Sequence, residues 1–264
     1  MRTEPVRHEP EILGSRNSLS IDEQKIVQSC FDATVAALHA IGLEATFSTA
    51  MADWASMMRN APRIMLVNPT FDPAHNDLTP DNAFWIKLSQ IADGRSVACI
   101  ANRLFVTDDY VDLLRTQRVW YSRGPRRMVD LVVPADMPRI AGRVGHHAGL
   151  WVRPDWRKHG LSGYMTRLAR CASLRRFDVD WHCGLVFAAI AEKGLPTEMV
   201  AGYGYPRMVL AIDGWQPLTD EPDRLYLPWI SRAEMLAHLA GETRRLGRPV
   251  GDRDQETVRL PAVS

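Results

Sequence analysis

The residues of this chain best suited to chemistry lie in one short segment, Trp156-Arg157-Lys158-His159-Gly160-Leu161-Ser162-Gly163. Before it, Gly145 to Val152 is an apolar run that reads as a buried strand, broken by Arg153-Pro154-Asp155. After it, Leu161, Tyr164, Met165, Leu168 and Ala172 recur at helical spacing, with Arg167, Arg170, Arg175 and Arg176 distributed around the remaining surface, where they would face solvent or anions. A second apolar strand follows over 179–188. A turn that opens a helix presents unpaired N–H groups and the positive end of the helix dipole. Adding Arg157 and Lys158, with Gly160 permitting close backbone approach, makes a cradle for a phosphate. The bare R-x-x-G pattern also occurs at 139–142 and 244–247. Only the match at 157–160 sits between a strand and an amphipathic helix, so context gives it its meaning.

A second group of reactive side chains, His146, His147, His182 and Cys183, invites a metal reading. Strand alternation sends adjacent residues to opposite faces, leaving one ligand per strand on a given face, and a zinc site needs three or four. No metal is expected. G-x-S-x-G, Walker A and dinucleotide fingerprints are missing from the sequence, which removes support for serine-hydrolase, P-loop and common dinucleotide chemistry.

The elements around these residues belong to an ordinary soluble composition: 264 residues, 46% apolar, 24% charged, formal net charge +1. Such a balance recruits neither nucleic acid nor an anionic membrane. The longest strictly apolar run, Leu185 to Ala191, is far short of the roughly 20 residues of a membrane helix. The N-terminus is charged throughout and has no secretory apolar core, and the four cysteines form no CxxC pair. A cytoplasmic location is the expectation. Residues 1–20 and 244–264 read as flexible tails, 21–60 as N-terminal helices, and 61–243 as the main domain.

Ile21-Asp22-Glu23 opens a helix with Ile26, Cys30, Ala33, Ala37 and Ile41 on its apolar face, closed by Gly42. A second helix is expected over about 47–59, with a Met51, Trp54, Met57, Met58 stripe that reads as core packing. Strands are expected over 63–67, 84–88 and 96–101, the last two joined by an Ala92-Asp93-Gly94 turn. Within 108–142 stand a short helix (110–116), a basic turn (123–127) and an apolar stretch (129–134). Strands over 206–212 and 224–229 precede a helix over 232–240, capped by Ser231 with Glu234 completing a capping box.

The segment Leu150-Trp151-Val152-Arg153-Pro154-Asp155-Trp156-Arg157-Lys158-His159-Gly160-Leu161-Ser162 resembles the central motif of the GNAT-type acyltransferases. In that motif a strand ending in V-x-P is followed by Q/R-x-x-G-x-G/A at the opening of a helix. The resemblance covers about 143–190 well and 83–107 plausibly. It implies an α/β fold with a mixed, mostly antiparallel sheet flanked by helices, carrying an N-terminal helical extension. It also implies acetyl-CoA, or another acyl-CoA, as donor substrate and an amine as acceptor, joined by direct attack without an acyl-enzyme. A homodimer is compatible with it.

Carried over by position, Arg157, Lys158, His159, Gly160, Leu161, Ser162 and Gly163 would hold the cofactor's pyrophosphate. Backbone groups of Leu150, Trp151 and Val152 would hold pantetheine, and N–H groups of strand 145–152 would polarise the thioester carbonyl. The strand at 179–188 would splay from strand 145–152 to admit the cofactor. His146 reads from its apolar strand as a hydrogen-bonded core histidine; the family's glutamate base also falls at this position, and histidine suits proton removal from an attacking amine. The family tyrosine that serves the leaving thiolate falls in register at Val200, with Tyr203 and Tyr205 nearby; Tyr203 is the candidate acid. Arg123, Arg126 and Arg127 read as a solvated basic turn; the alternatives are that they meet the cofactor's 3′-phosphate or recruit an acidic acceptor. Two departures stand out: Ser162 replaces the loop's last Gly/Ala, and 108–142 replaces a short turn. Two other readings share the fold: a longer-chain N-acyl synthase with helix 47–59 as its groove, and a non-catalytic CoA- or partner-binding protein.

Overall fold

A computed structural model describes residues 19–62, 67–122 and 127–247. The chain starts with α1 (Ile21–Ala40), β1 (Leu43–Ser48) and α2 (Met51–Asn60). Then come β2 (Ala83–Gln90), β3 (Ser96–Thr107), α3 (Tyr110–Arg115), β4 (Gly142–Val152), α4 (Leu161–Phe177) and β5 (Trp181–Gly184). It closes with β6 (Val186–Phe187), α5 (Ala188–Ala191), β7 (Arg207–Gln216), β8 (Glu221–Ser231) and α6 (Arg232–Leu246). The sheet runs β1-β2-β3-β4-β5-β8, antiparallel throughout except for the parallel pair β4 and β5. β5 and β6 lie end to end along one edge of β8, and β7 pairs along the other. This is the mixed, mostly antiparallel sheet the sequence implied.

Alternation along the central strands divides the core. Phe84, Ile86, Leu88, Ala98 and Ile100 face α1, α4 and α6. Trp85, Cys99 and Ala101 face α2, and Phe105 and Val144 face α3 and the 129–140 segment. Both helix-start signals hold: Ser20 with Glu23 and Ser231 with Glu234 form reciprocal capping boxes.

Several boundaries differ from the sequence reading. Leu43–Ser48 is a strand, so Phe47 and Ser48 leave the second helix, which starts at Met51. Gly42, at φ +77°, turns the chain from α1 directly into β1 against β2. On α1 the buried face is Val27, Cys30, Thr34 and Leu38, one position away from the expected stripe, and Ile41 is 43% exposed. The strand expected over 179–188 breaks at Leu185 into β5 and β6. The Met51, Trp54, Met58 stripe is buried against Trp85, Cys99 and Trp151, as core packing. Residues 63–66 and 123–126, which hold most of an expected strand and of the basic turn, lie outside the described residues.

Arg167 and Arg170 on α4 are buried, contrary to the expectation that they face solvent or anions. Arg167 Nη1 donates to Glu242 Oε2 on α6 at 2.6 Å and to the Val200 carbonyl at 3.0 Å. Breaking such a buried pair leaves an uncompensated charge inside the protein. Glu242→Ala is therefore expected to destabilise the fold by about 3–5 kcal/mol, read from urea denaturation. A loss below about 1 kcal/mol, the range of an exposed pair, would refute a structural role for the ion pair.

Candidate active site

The defining feature is where β4 and β5 part. Their parallel pairing ends at His147 with Gly184, and Ala148 to Val152 then pair only with β3. β5 gives way at Leu185 to β6, which stays with β8. A wedge opens between the two strands, with one edge of β4 available along 148–152. A one-residue bulge in β4 falls in the same stretch, since Cys99 pairs with Trp151 but Ala101 pairs with Ala148. Gly149, at φ +62°, sits in the bulge, where a Cβ would stand 2.4 Å from the Trp54 ring. The α2 tryptophan thus packs directly beneath the open edge.

The wedge leads to the start of α4. Lys158 at φ +69° and Gly160 at φ +66° are both left-handed, so the turn curls its amides toward one side. Among the described residues, the N–H groups of Lys158, His159, Gly160, Leu161 and Ser162 have no acceptor. Arg157, Lys158 and His159 are exposed around them. Arg157 Nε reaches back to the Val152 carbonyl at 3.3 Å, and His159 Nδ1 donates to the Arg157 carbonyl at 3.1 Å. Leu161 has a buried side chain, so only its backbone is offered.

Gly163 departs from its expected role. Its N–H already donates to the Ala201 and Gly160 carbonyls, each at 3.1 Å, and cannot serve a phosphate. A Cβ there would meet the Val200 carbonyl at 2.4 Å, so glycine is required for the 200–201 segment to cross α4. On the β4 edge, Leu150 and Val152 pack toward α4, while Trp151 points to the other face and donates to the Pro62 carbonyl at 3.3 Å. Only the main chain of these three residues faces the wedge.

His146 and His147 point to opposite faces, as alternation required. His146 is enclosed by Phe71, Phe105 and Tyr110, and its Nδ1 shares a 2.6 Å hydrogen bond with the Tyr110 hydroxyl. Burial, reinforced by the nearby Arg103 charge, lowers its pKa to about 3. Tyr110 comes from α3, so the 108–142 insertion supplies a wall of this cluster. Val129 and Leu131 extend it against β7 and β8.

On the other face, the Tyr205 hydroxyl lies 3.2 Å from His147 Nε2 and 3.3 Å from His182 Nδ1. Both imidazoles are held well below the usual histidine range, first by burial and then by neighbouring positive or histidine groups. Tyr203 stands on this side, its ring 6.2 Å from His147, with burial raising its pKa to about 12. The two expected catalytic residues, His146 and Tyr203, are thus separated by β4 rather than brought together. The reading from sequence missed Tyr110, Arg103 and Arg170 and gave Tyr205 no role. Their only signal was their type, because each is placed by contacts distant along the chain. Arg127 lies over the Trp215 ring at 4.3 Å. No cluster of three potential metal ligands occurs among the described residues, and no described helix is long and apolar enough to cross a membrane.

Strand order, the parallel pair that splays, and a glycine turn opening the following helix give this chain a GNAT-type fold. No protein-family model and no curated protein matches the sequence. Solved structures of similar shape include Arabidopsis thaliana NAA60 in complex with acetyl-CoA, at 12% identity and TM-score 0.46, covering 72% of this chain and 99% of that one. A chimeric spermidine N-acetyltransferase SpeG involving Vibrio cholerae is 8% identical with TM-score 0.44, covering 74% and 99%. A GNAT-family acetyltransferase from Streptococcus pneumoniae is 10% identical with TM-score 0.37, covering 71% and 99%.

Proposed function

We propose that the chain binds acyl-CoA in the wedge between β4 and β5 and transfers its acyl group, acetyl in the first instance, to an amine. The observation that carries this reading is the run of five unsatisfied amides, Lys158 to Ser162, at the mouth of the wedge. Left-handed residues and a helix N-terminus make that run a seat for a polyanion such as a pyrophosphate. The free β4 edge supplies an extended hydrogen-bonding track for an amide-bearing arm, and Leu150 and Val152 need only their backbone for it. Chemistry follows by direct attack of the amine on the thioester. N–H groups near the Gly149 bulge polarise the carbonyl. Titrating the protein with acetyl-CoA by calorimetry tests the reading. Micromolar binding followed by thioester loss over an amine panel supports it; no binding by folded protein removes it.

His146 enters as the base from one face of β4 and Tyr203 as the acid from the other, acting on opposite sides of a thioester held at the wedge between β4 and β5. Tyr203, with its pKa raised to about 12, keeps its proton at neutral pH, as a donor to a thiolate must. His146 is neutral far below pH 6.5, so its lone pair is present across the working range. A pKa near 3 is distant from the optimum for a base. His146→Gln is therefore expected to lower kcat by about 100-fold, the lower end of general-base effects, with acetyl-CoA affinity unchanged. Wild-type kcat should also show no acid limb from this residue between pH 5 and 8. An acid limb near pH 6.5 that vanishes in His146→Gln would contradict the buried, neutral state, and an unchanged kcat would remove His146 from the reaction.

A further inference from the structure

Directly across the sheet from His146 stands a cation. Arg103 on β3 is the register partner of His146 on β4, so both side chains lie on the same face, the one covered by α2 and α3. The Arg103 guanidinium sits 4.6 Å over the Phe105 ring, and the His146 ring meets the same phenylalanine edge-on at 6.1 Å. Arg103 is 8% exposed, and Nη1 alone has a hydrogen-bond partner, the Thr70 carbonyl at 3.1 Å. Among the described residues no carboxylate forms an ion pair with it; Asp77 acts only from a distance. A guanidinium keeps its proton in a protein, so a largely buried one is stabilised by an anion that reaches it.

Access separates this arginine from the others in the core. The spare nitrogens of Arg167 and Arg170 are sealed from solvent. Arg103 Nε and Nη2 have no protein partner and are not sealed, and the same holds for His146 Nε2, since Tyr110 takes Nδ1. These three nitrogens therefore border space that water reaches, with Phe105 against both side chains. A crevice with a cation and an imidazole side by side suits a small molecule that carries an anion close to its amine.

We propose that the acceptor is an α-amino acid, its carboxylate held by Arg103 and its amine presented to His146 Nε2. This assignment rests on the acyl-transfer reading for the role of His146. In the transfer, the neutral amine nitrogen bonds to the acyl carbon and the carbon–sulfur bond breaks. His146 Nε2 takes the proton that the nitrogen loses, Tyr203 gives one to the departing thiolate, and a proton returned through solvent restores both. Guanidinium and carboxylate form paired, charge-assisted hydrogen bonds, which a carboxamide cannot match. Neutralising Arg103 also weakens the positive field that, after burial, holds the His146 pKa low. A carboxylate-bearing acceptor thus strengthens its own base.

The test is a ligand-observed NMR titration of the full chain with the common L-amino acids and their carboxamides, with and without CoA. At least one amino acid is expected to bind about 10–100-fold more tightly than its carboxamide, the worth of one charge-assisted contact. Equal affinity for acid and amide, or no binding of any amino acid to folded wild type, would overturn the proposal whatever the variants do. Arg103→Gln, which keeps a donor for the Thr70 carbonyl, is expected to abolish the preference and leave carboxamide affinity unchanged. A folded variant that retains the preference, or that loses both ligands alike, also overturns it. Acetyl-CoA binding is read separately by calorimetry on the same sample. Failure of the donor reading and failure of the acceptor assignment therefore give different results.

Discussion

Arg157→Glu combined with Gly160→Asp is expected to weaken acetyl-CoA binding at least 100-fold while the protein stays folded. Arg157 is exposed, so its replacement disturbs no core contact. At Gly160 a Cβ would lie 3.6 Å from that of Ala201, an ordinary contact, so the added side chain has room. The left-handed backbone costs about 1–2 kcal/mol without glycine, and aspartate is among the residues that tolerate it best. Two carboxylates would then occupy the side to which Lys158 to Ser162 direct their amides. Each hydrogen bond to a charged group contributes about 1.5–3 kcal/mol, so losing one or two, with added repulsion, accounts for the predicted factor. Calorimetric titration measures the affinity and circular dichroism confirms the fold. Wild-type affinity in a folded double variant would show that the turn is only a strand-to-helix connection.

The part of this site that could be read from sequence is the part built from consecutive residues. Gly160 between an apolar strand and an amphipathic helix announced a tight turn open to close backbone approach, and the turn is there, with Gly160 left-handed. Lys158 was not legible as left-handed, because nothing in a lysine signals positive φ. The splay at Gly184 also escaped precise placement: Val179 to Ala188 is one apolar run, and only its pairing with β8 breaks it at Leu185. The β1 strand was hidden because Leu43–Ser48 alternates weakly and lies between two helices. Pairing with β2, whose partner residues lie 37 (Ser48 with Trp85) to 47 (Leu43 with Gln90) positions further along the chain, decides its structure. Arg167 and Arg170 were misread for a similar reason. Their burial follows from Glu242 and from the 200–203 carbonyls, partners that sequence spacing cannot supply. Tyr110 shows the limit most clearly, since it reaches His146 from a segment whose length alone marked it as unusual.

Lowering the pH from 7.5 to 5 is expected to remove at least about 4 kcal/mol of stability, through buried histidines. His146 and His238 are held at about 3 and His147 and His182 well below the usual histidine range, all chiefly by burial. In the unfolded chain each binds a proton near pH 6.5. Between that value and the depressed folded pKa, the unfolded state holds more protons, so stability falls as the pH falls. At pH 5 the linkage amounts to about 2 kcal/mol each for His146 and His238, with their full contribution reached only near pH 3, and His147 and His182 add in the same direction. A domain stable by about 5–15 kcal/mol is thereby brought close to unfolding near pH 5. The packing explains why no compensating partner appears: Tyr205 offers one hydroxyl to two imidazoles, and Tyr110 offers one to His146. Neither phenol supplies the negative charge that an imidazolium would need. Urea denaturation at pH 7.5, 6.5, 5.5 and 5.0 measures the slope. His39→Gln, at an exposed position on α1, serves as the control. Equal stability at pH 7.5 and 5.0 would mean that the buried imidazoles gain protons inside the fold, and that the polar interior beneath the wedge is open to water.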